Sequence, residues 1–102
     1  MDKAKVKMLF VSVCDFISNP TKANGDFIKD LIANICPCVK HIPIDNEDVS
    51  SLIEYDNLDY TLVTNTATFI DEIISNKCTE YACTIGASIF KVIDLILEQQ
   101  DQ

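Results

Sequence analysis

Cys14 ends the apolar run from Val6 to Val13 and opens the polar stretch Asp15 to Thr21. If that run is a strand of a parallel sheet, its end faces the open carboxyl edge where α/β proteins bind ligands. A thiol at that edge is placed to act as a nucleophile. Free N–H groups of a following helix would hold the oxygens of a phosphate. Ser18 and Thr21 would add hydroxyl donors. Phosphoryl transfer asks mainly for positioning and charge stabilisation, so a thiol in a donor-lined loop is enough equipment.

The other reactive residues are sparse. Five cysteines are an odd count, and the N-terminal lysines lead into the apolar run without a small-residue cleavage site, so neither export nor a disulfide framework is expected. Cys36, Cys38 and the single histidine, His41, are the candidate metal ligands. Cys-Pro-Cys is not the two-residue-spaced pair that tetrahedral zinc sites prefer, and no second pair follows at a usual distance. No metal and no cofactor are expected, and Cys36 and Cys38 read as small buried residues flanking a helix end. Thr64, Asn65 and Thr66 either donate to a ligand beside Cys14 or cap a following helix. Cys83 on the same edge would allow a second class of function, a redox switch pairing it with Cys14, although no Cys-x-x-Cys motif is present. Asp45, Glu47, Asp48, Glu54, Asp56 and Asp59 have no spacing that defines a calcium loop and read as a solvated face.

The elements that must position Cys14 alternate in type. Val6 to Val13 is continuous and apolar, as in a strand buried on both faces. Asn19 and Pro20 signal a helix start, and Ala23, Phe27, Ile28, Leu31, Ile32 and Ile35 recur at helical spacing up to the stop at Pro37. Val39 to Ile44 reads as a second strand, Asp48 as the cap of a short helix, and Leu58 to Thr64 as a third strand. Phe69 to Ile74 marks a helix and Glu80 to Ile85 a fourth strand. Ile89, Val92, Ile93, Ile96 and Leu97 form the inner stripe of a closing helix with Ser88 as its cap. The order predicts an α/β three-layer sandwich around a four-stranded parallel sheet, Rossmann-like or flavodoxin-like, in a single domain over residues 1–102.

Composition narrows the partners. The 102 residues are 48% hydrophobic and 24% charged, values of an ordinary globular chain. No apolar run approaches the roughly 20 residues of a membrane span. A net charge of −8 repels phosphate backbones and anionic lipid, which disfavours nucleic-acid binding and membrane insertion. A cytoplasmic location is expected.

Over nearly its full length the chain resembles the small cytoplasmic IIB components of the bacterial sugar phosphotransferase system, of the galactitol and ascorbate type. The likeness lies in Lys7 to Cys14 followed by a polar loop, Ile28-Lys29-Asp30-Leu31, Tyr60 to Thr66, and Tyr81 to Gly86 before a final amphipathic helix. It implies a phosphocarrier that accepts a phosphoryl group on Cys14 from a IIA partner and passes it to a sugar bound by a IIC permease, with Asp15, Phe16, Ile17, Ser18, Asn19 and Thr21 around the phosphate. Counting along the strand from Lys7 would place the nucleophile near Ser12, whereas the frame of the following helix favours Cys14. Low-molecular-weight protein tyrosine phosphatases are similar in sheet and cysteine position, but Pro20 stands where they need arginine. The loop has no glycine, and Asp15 would repel an incoming dianion. The alternative is a non-catalytic α/β interaction module that keeps the fold without the chemistry.

Overall fold

The computed structural model describes residues 3–100, and the two residues at each end of the 102-residue sequence lie outside them. The described residues form helices and contain no strand. The α/β sandwich, its parallel sheet and its Rossmann-like topology are therefore corrected to an all-helical fold. Helix α1 spans Lys3–Ser18, α2 Lys22–Ile35, a 3-10 helix Pro37–His41, α3 Glu47–Ser50, α4 Leu58–Asn76 and α5 Glu80–Gln100.

The run read as the first strand is the middle of α1. Its buried positions are Leu9, Ser12, Val13 and Phe16, three and four residues apart as on one side of a helix. Two features hid that stripe. Ser12 occupies an inward position, and Met8, Phe10 and Val11 put apolar side chains on the solvent side. A continuous apolar run does not separate strand from helix by periodicity; length decides, and this one continues through Phe16 and Ile17.

Helix α2 is the element most legible beforehand. Thr21, not Asn19, is its cap, and accepts a hydrogen bond from the Asn24 N–H at 3.1 Å. Pro37 cannot continue it, and Cys36 closes it with an N–H donated to the Ile32 carbonyl at 2.8 Å.

Two strand–helix pairs are each one long helix. Leu58 to Thr64 joins Phe69 to Ile74 in α4, capped by Asn57, whose side chain accepts from the Tyr60 N–H at 3.2 Å. Its inner face, Leu58, Thr61, Leu62, Thr66, Phe69, Ile70 and Ile73, carries threonines where apolar residues are usual. Thr61 bonds the Asn57 carbonyl at 3.0 Å, so its hydroxyl is satisfied within the helix and the loop before it. Likewise Glu80 to Ile85 and Ile89 to Leu97 are both α5. Ser88 is no cap: it is buried in mid-helix and donates to the Ile85 carbonyl at 2.6 Å.

Helix α5 is the centre of the fold and packs against α2, α3, α4 and the 3-10 helix, while α1 packs on α2 and α4. Ten of its residues, from Ala82 to Ile96, are buried. A helix apolar around most of its girth belongs in an interior. Phe16 of α1 and Phe69 of α4 are fully buried, and each such side chain contributes roughly 1.5–3 kcal/mol of apolar burial. The chain's two glycines mark the closest approaches. A Cβ at Gly25 would stand 2.8 Å from Ile93 Cγ2, and one at Gly86 would stand 2.6 Å from Val39 Cγ2. Among the described residues no helix is long and apolar enough to cross a membrane.

Candidate functional site: a cluster of cysteines

Cys14 does not sit on a sheet edge. It is an exposed residue of α1, and the segment after it is helix to Ser18 rather than a loop. Phe16 is fully buried, Ile17 half-buried, and Asp15 and Ser18 are exposed. The Asn19 carbonyl accepts from the Asn24 side-chain amide at 2.9 Å, and the Thr21 hydroxyl is committed to capping α2. The backbone N–H of Asn19 donates to the Asp15 carbonyl at 2.8 Å, continuing the helical ladder. Asp15 to Ser18 are thus turns of helix where a loop was expected, and the phosphocarrier role with its IIA and IIC partners draws no support from their geometry.

Thr64, Asn65 and Thr66 neither edge a sheet nor cap a helix. They lie inside α4, and the Asn65 side-chain amide donates to the Leu52 carbonyl and the Ser88 hydroxyl, both at 3.0 Å. Asn65 thus fastens α4 to α5 and to the loop after α3. The six acidic residues from Asp45 to Asp59 are exposed.

The reactive side chains meet elsewhere. Cys36, Cys38, Cys78 and Cys83 come from two chain reversals that the fold stacks on each other. The first is the passage from α2 into the 3-10 helix, forced by Pro37 at its first position. The second is the three-residue link from α4 to α5. Lys77 turns that link with φ 65° and ψ −152°, a conformation favouring glycine. Thr79 then caps α5, accepting from the Ala82 N–H at 3.0 Å while donating to Glu72 Oε2 at 2.8 Å. Gly86, one turn beyond Cys83, removes the Cβ that would hold α5 away from Val39. That close approach brings the first turn of α5 against Cys38.

Cys38 and Cys83 form a disulfide across 45 residues of sequence. The expectation against a disulfide framework is corrected to this one bond, and Cys14 stays a free thiol. Cys36 stays a free, fully buried thiol whose Sγ lies 3.4 Å from Cys38 Sγ and 3.7 Å from Cys83 Sγ. Cys78 is an exposed free thiol donating to the Ile35 carbonyl at 3.1 Å. Burial pushes the Cys36 thiol up to about 12, helped by a hydrogen bond to Cys78 and by that neighbour's charge. Cys36 is therefore protonated at neutral pH. His41, at the end of the 3-10 helix, is exposed and stands outside the sulfur cluster.

The expectation that Cys36 and Cys38 flank a helix end holds locally, since Cys36 caps α2. What was missed is their partner pair. Cys78 and Cys83 lie at the beginning of a helix as Cys36 and Cys38 lie at the end of one. Two cysteine pairs at opposite kinds of helix boundary was the available signal, and reading Glu80 to Ile85 as a strand concealed it. No family model, no curated protein and no solved structure matches the chain.

Proposed function

We propose that the protein is a small helical thiol switch, acting in the cytoplasm, whose Cys38–Cys83 bond opens and closes with the local thiol–disulfide balance. The observation that carries this reading is the third sulfur: Cys36 Sγ is 3.4 and 3.7 Å from the two bonded sulfurs. A purely structural staple needs no spare thiol against both of its atoms. In a reducing compartment a disulfide is transient and serves sensing or catalysis more than permanent stability.

The chemistry balances with a small thiol as co-reactant. Its thiolate attacks Sγ of Cys38, the more accessible of the pair, and Cys83 leaves as a thiolate that takes up a proton. A second equivalent of the thiol displaces Cys38, giving two cysteine thiols and one small-molecule disulfide. Closing the bond holds the first turn of α5 to the 3-10 helix, and opening it leaves that contact to packing around Val39 and Gly86.

Equilibrating the full chain in chelator-treated glutathione buffers of graded poise, then trapping with a maleimide mass tag, tests this. Cys38 and Cys83 are expected to become protected together in one two-electron transition, with Cys14 labelled throughout. If both label fully at every poise, or remain protected at the most reducing one, the switch is refuted.

A further inference from the structure

We infer that the opened cluster is a binding site for one zinc ion, with Cys36, Cys38 and Cys83 as ligands and Cys78 as the fourth. It deepens the reading above, and rests on it in that the Cys38–Cys83 bond must open before the ion can enter. A small-molecule dithiol supplies the two electrons and two protons for that opening and leaves as its cyclic disulfide. Zinc then binds thiolates, so each ligating thiol releases one proton on coordination.

Two of the three sulfur–sulfur distances in the cluster already match coordination spacing. With Zn–S bonds of about 2.3 Å, ligands of a tetrahedral site lie roughly 3.8 Å apart. Cys36 Sγ is 3.4 Å from Cys38 Sγ and 3.7 Å from Cys83 Sγ, and all three sulfurs fall within 4.8 Å of one another. Opening the disulfide lets the remaining pair separate toward the same spacing. The donor set is sulfur throughout, with no carboxylate in the group, which favours a thiophilic ion over calcium or magnesium.

Cys78 completes the set from the solvent side. It donates to the Ile35 carbonyl, next to Cys36 at the point where α2 ends. It is exposed while Cys36 is fully buried and Cys83 nearly so, so the ion has an entry side and a closed floor. The floor is held by elements with independent reasons for their positions: Pro37 ends α2, and Gly86 seats α5 against Val39. Two helix boundaries that would otherwise depend on one covalent bond would then be clamped by the metal.

The test uses the full chain reduced with a phosphine, with five free thiols confirmed by titration in denaturant and with helicity checked by circular dichroism. Cobalt(II) is added anaerobically as the spectroscopic probe. Thiolate-to-cobalt charge-transfer bands and the intense visible bands of a tetrahedral ion are expected to saturate at one cobalt per chain and to disappear on adding zinc. Cys78→Ser, a surface change, is expected to weaken cobalt binding at least tenfold and alter the visible bands, and Cys36→Ser to abolish them. Cys14→Ser is expected to leave them unchanged. Absence of charge-transfer bands in the reduced, helical protein overturns the assignment, as does an unaltered spectrum in both Cys36→Ser and Cys78→Ser. A disulfide that titrates in glutathione with no cobalt band removes the zinc site and leaves the switch. Cobalt binding to a protein whose cysteines never pair removes the switch alone.

Discussion

Cys36 Sγ lies 3.7 Å from Cys83 Sγ although 47 residues separate them in the chain. One residue closes α2 and the other lies in the first turn of α5, so the contact reports the meeting of two helix ends. The sulfur cluster lies at that meeting, and Cys14 is not part of it.

The covalent bond beside this contact is expected to carry much of the stability of the oxidised protein. Closing a loop of 45 residues removes about 4 kcal/mol of unfolded-chain entropy in the simple chain model, and measured effects are commonly about 2–4 kcal/mol. Urea unfolding of the oxidised and the reduced wild type should differ by that amount. Cys83→Ser should match the reduced protein whether or not reductant is present.

Alkaline pH should weaken the fold through Cys36. Its thiol holds a proton up to about 12 in the native state, against about 8.5 for a free thiol. Between those values the native state binds more protons than the unfolded one, so stability falls as pH rises. The contribution is complete below the unfolded value and is lost on passing through the folded one. Guanidinium unfolding from about pH 8 to about pH 11 should show a steeper decline for wild type than for Cys36→Ala.

Adding a methyl group at Gly86 should destabilise the protein even though alanine is the better helix former. Alanine gains roughly 1 kcal/mol of propensity in a helix interior. Its Cβ would meet Val39 Cγ2 at 2.6 Å and Ile32 Cγ2 at 3.2 Å, both within the core. Overpacking of that kind costs typically about 1–3 kcal/mol. A net loss is expected in the urea midpoint of Gly86→Ala, together with slower closure of the Cys38–Cys83 bond during reoxidation.

Lys77→Gly should act in the opposite direction. Lys77 has φ 65° and ψ −152°, a region nearly reserved for glycine, where other residues cost about 1–3 kcal/mol. Glycine relieves that cost and gives back part of it through a freer unfolded chain. A rise of about 1 kcal/mol in unfolding free energy is expected, read from the same urea series.

Some of this architecture was readable from residue order. The inner stripe Ile28, Leu31 and Ile32, with Pro37 beyond it, identified α2 without reference to anything else in the chain. The same rules failed where polar residues hold interior positions. Ser12 in α1, Thr61 and Thr66 in α4 and Ser88 in α5 are all buried, and each interrupts an apolar stripe that would otherwise announce a helix. Thr61 is satisfied by the Asn57 and Glu54 carbonyls, and Ser88 by Ile85 and Asn65, partners that exist only once the helices are folded and paired. Before folding, Leu58 to Thr64 looks like a strand, because intrinsic preference is a weak prior that packing overrides.

Residue order alone determined an acidic, globular chain with ordinary hydrophobic content, a proline-terminated second helix and five thiols. It could not say which thiols meet, because pairing depends on where helix ends lie in space, and spacing along the chain does not encode that. Tertiary packing decided it: α5, seated against Val39 through Gly86, carries Cys83 to Cys38 and Cys36. Cys14, first in the chain and most prominent by position, was left on the outer side of α1, because the inward side of that helix was already taken by Leu9, Val13 and Phe16.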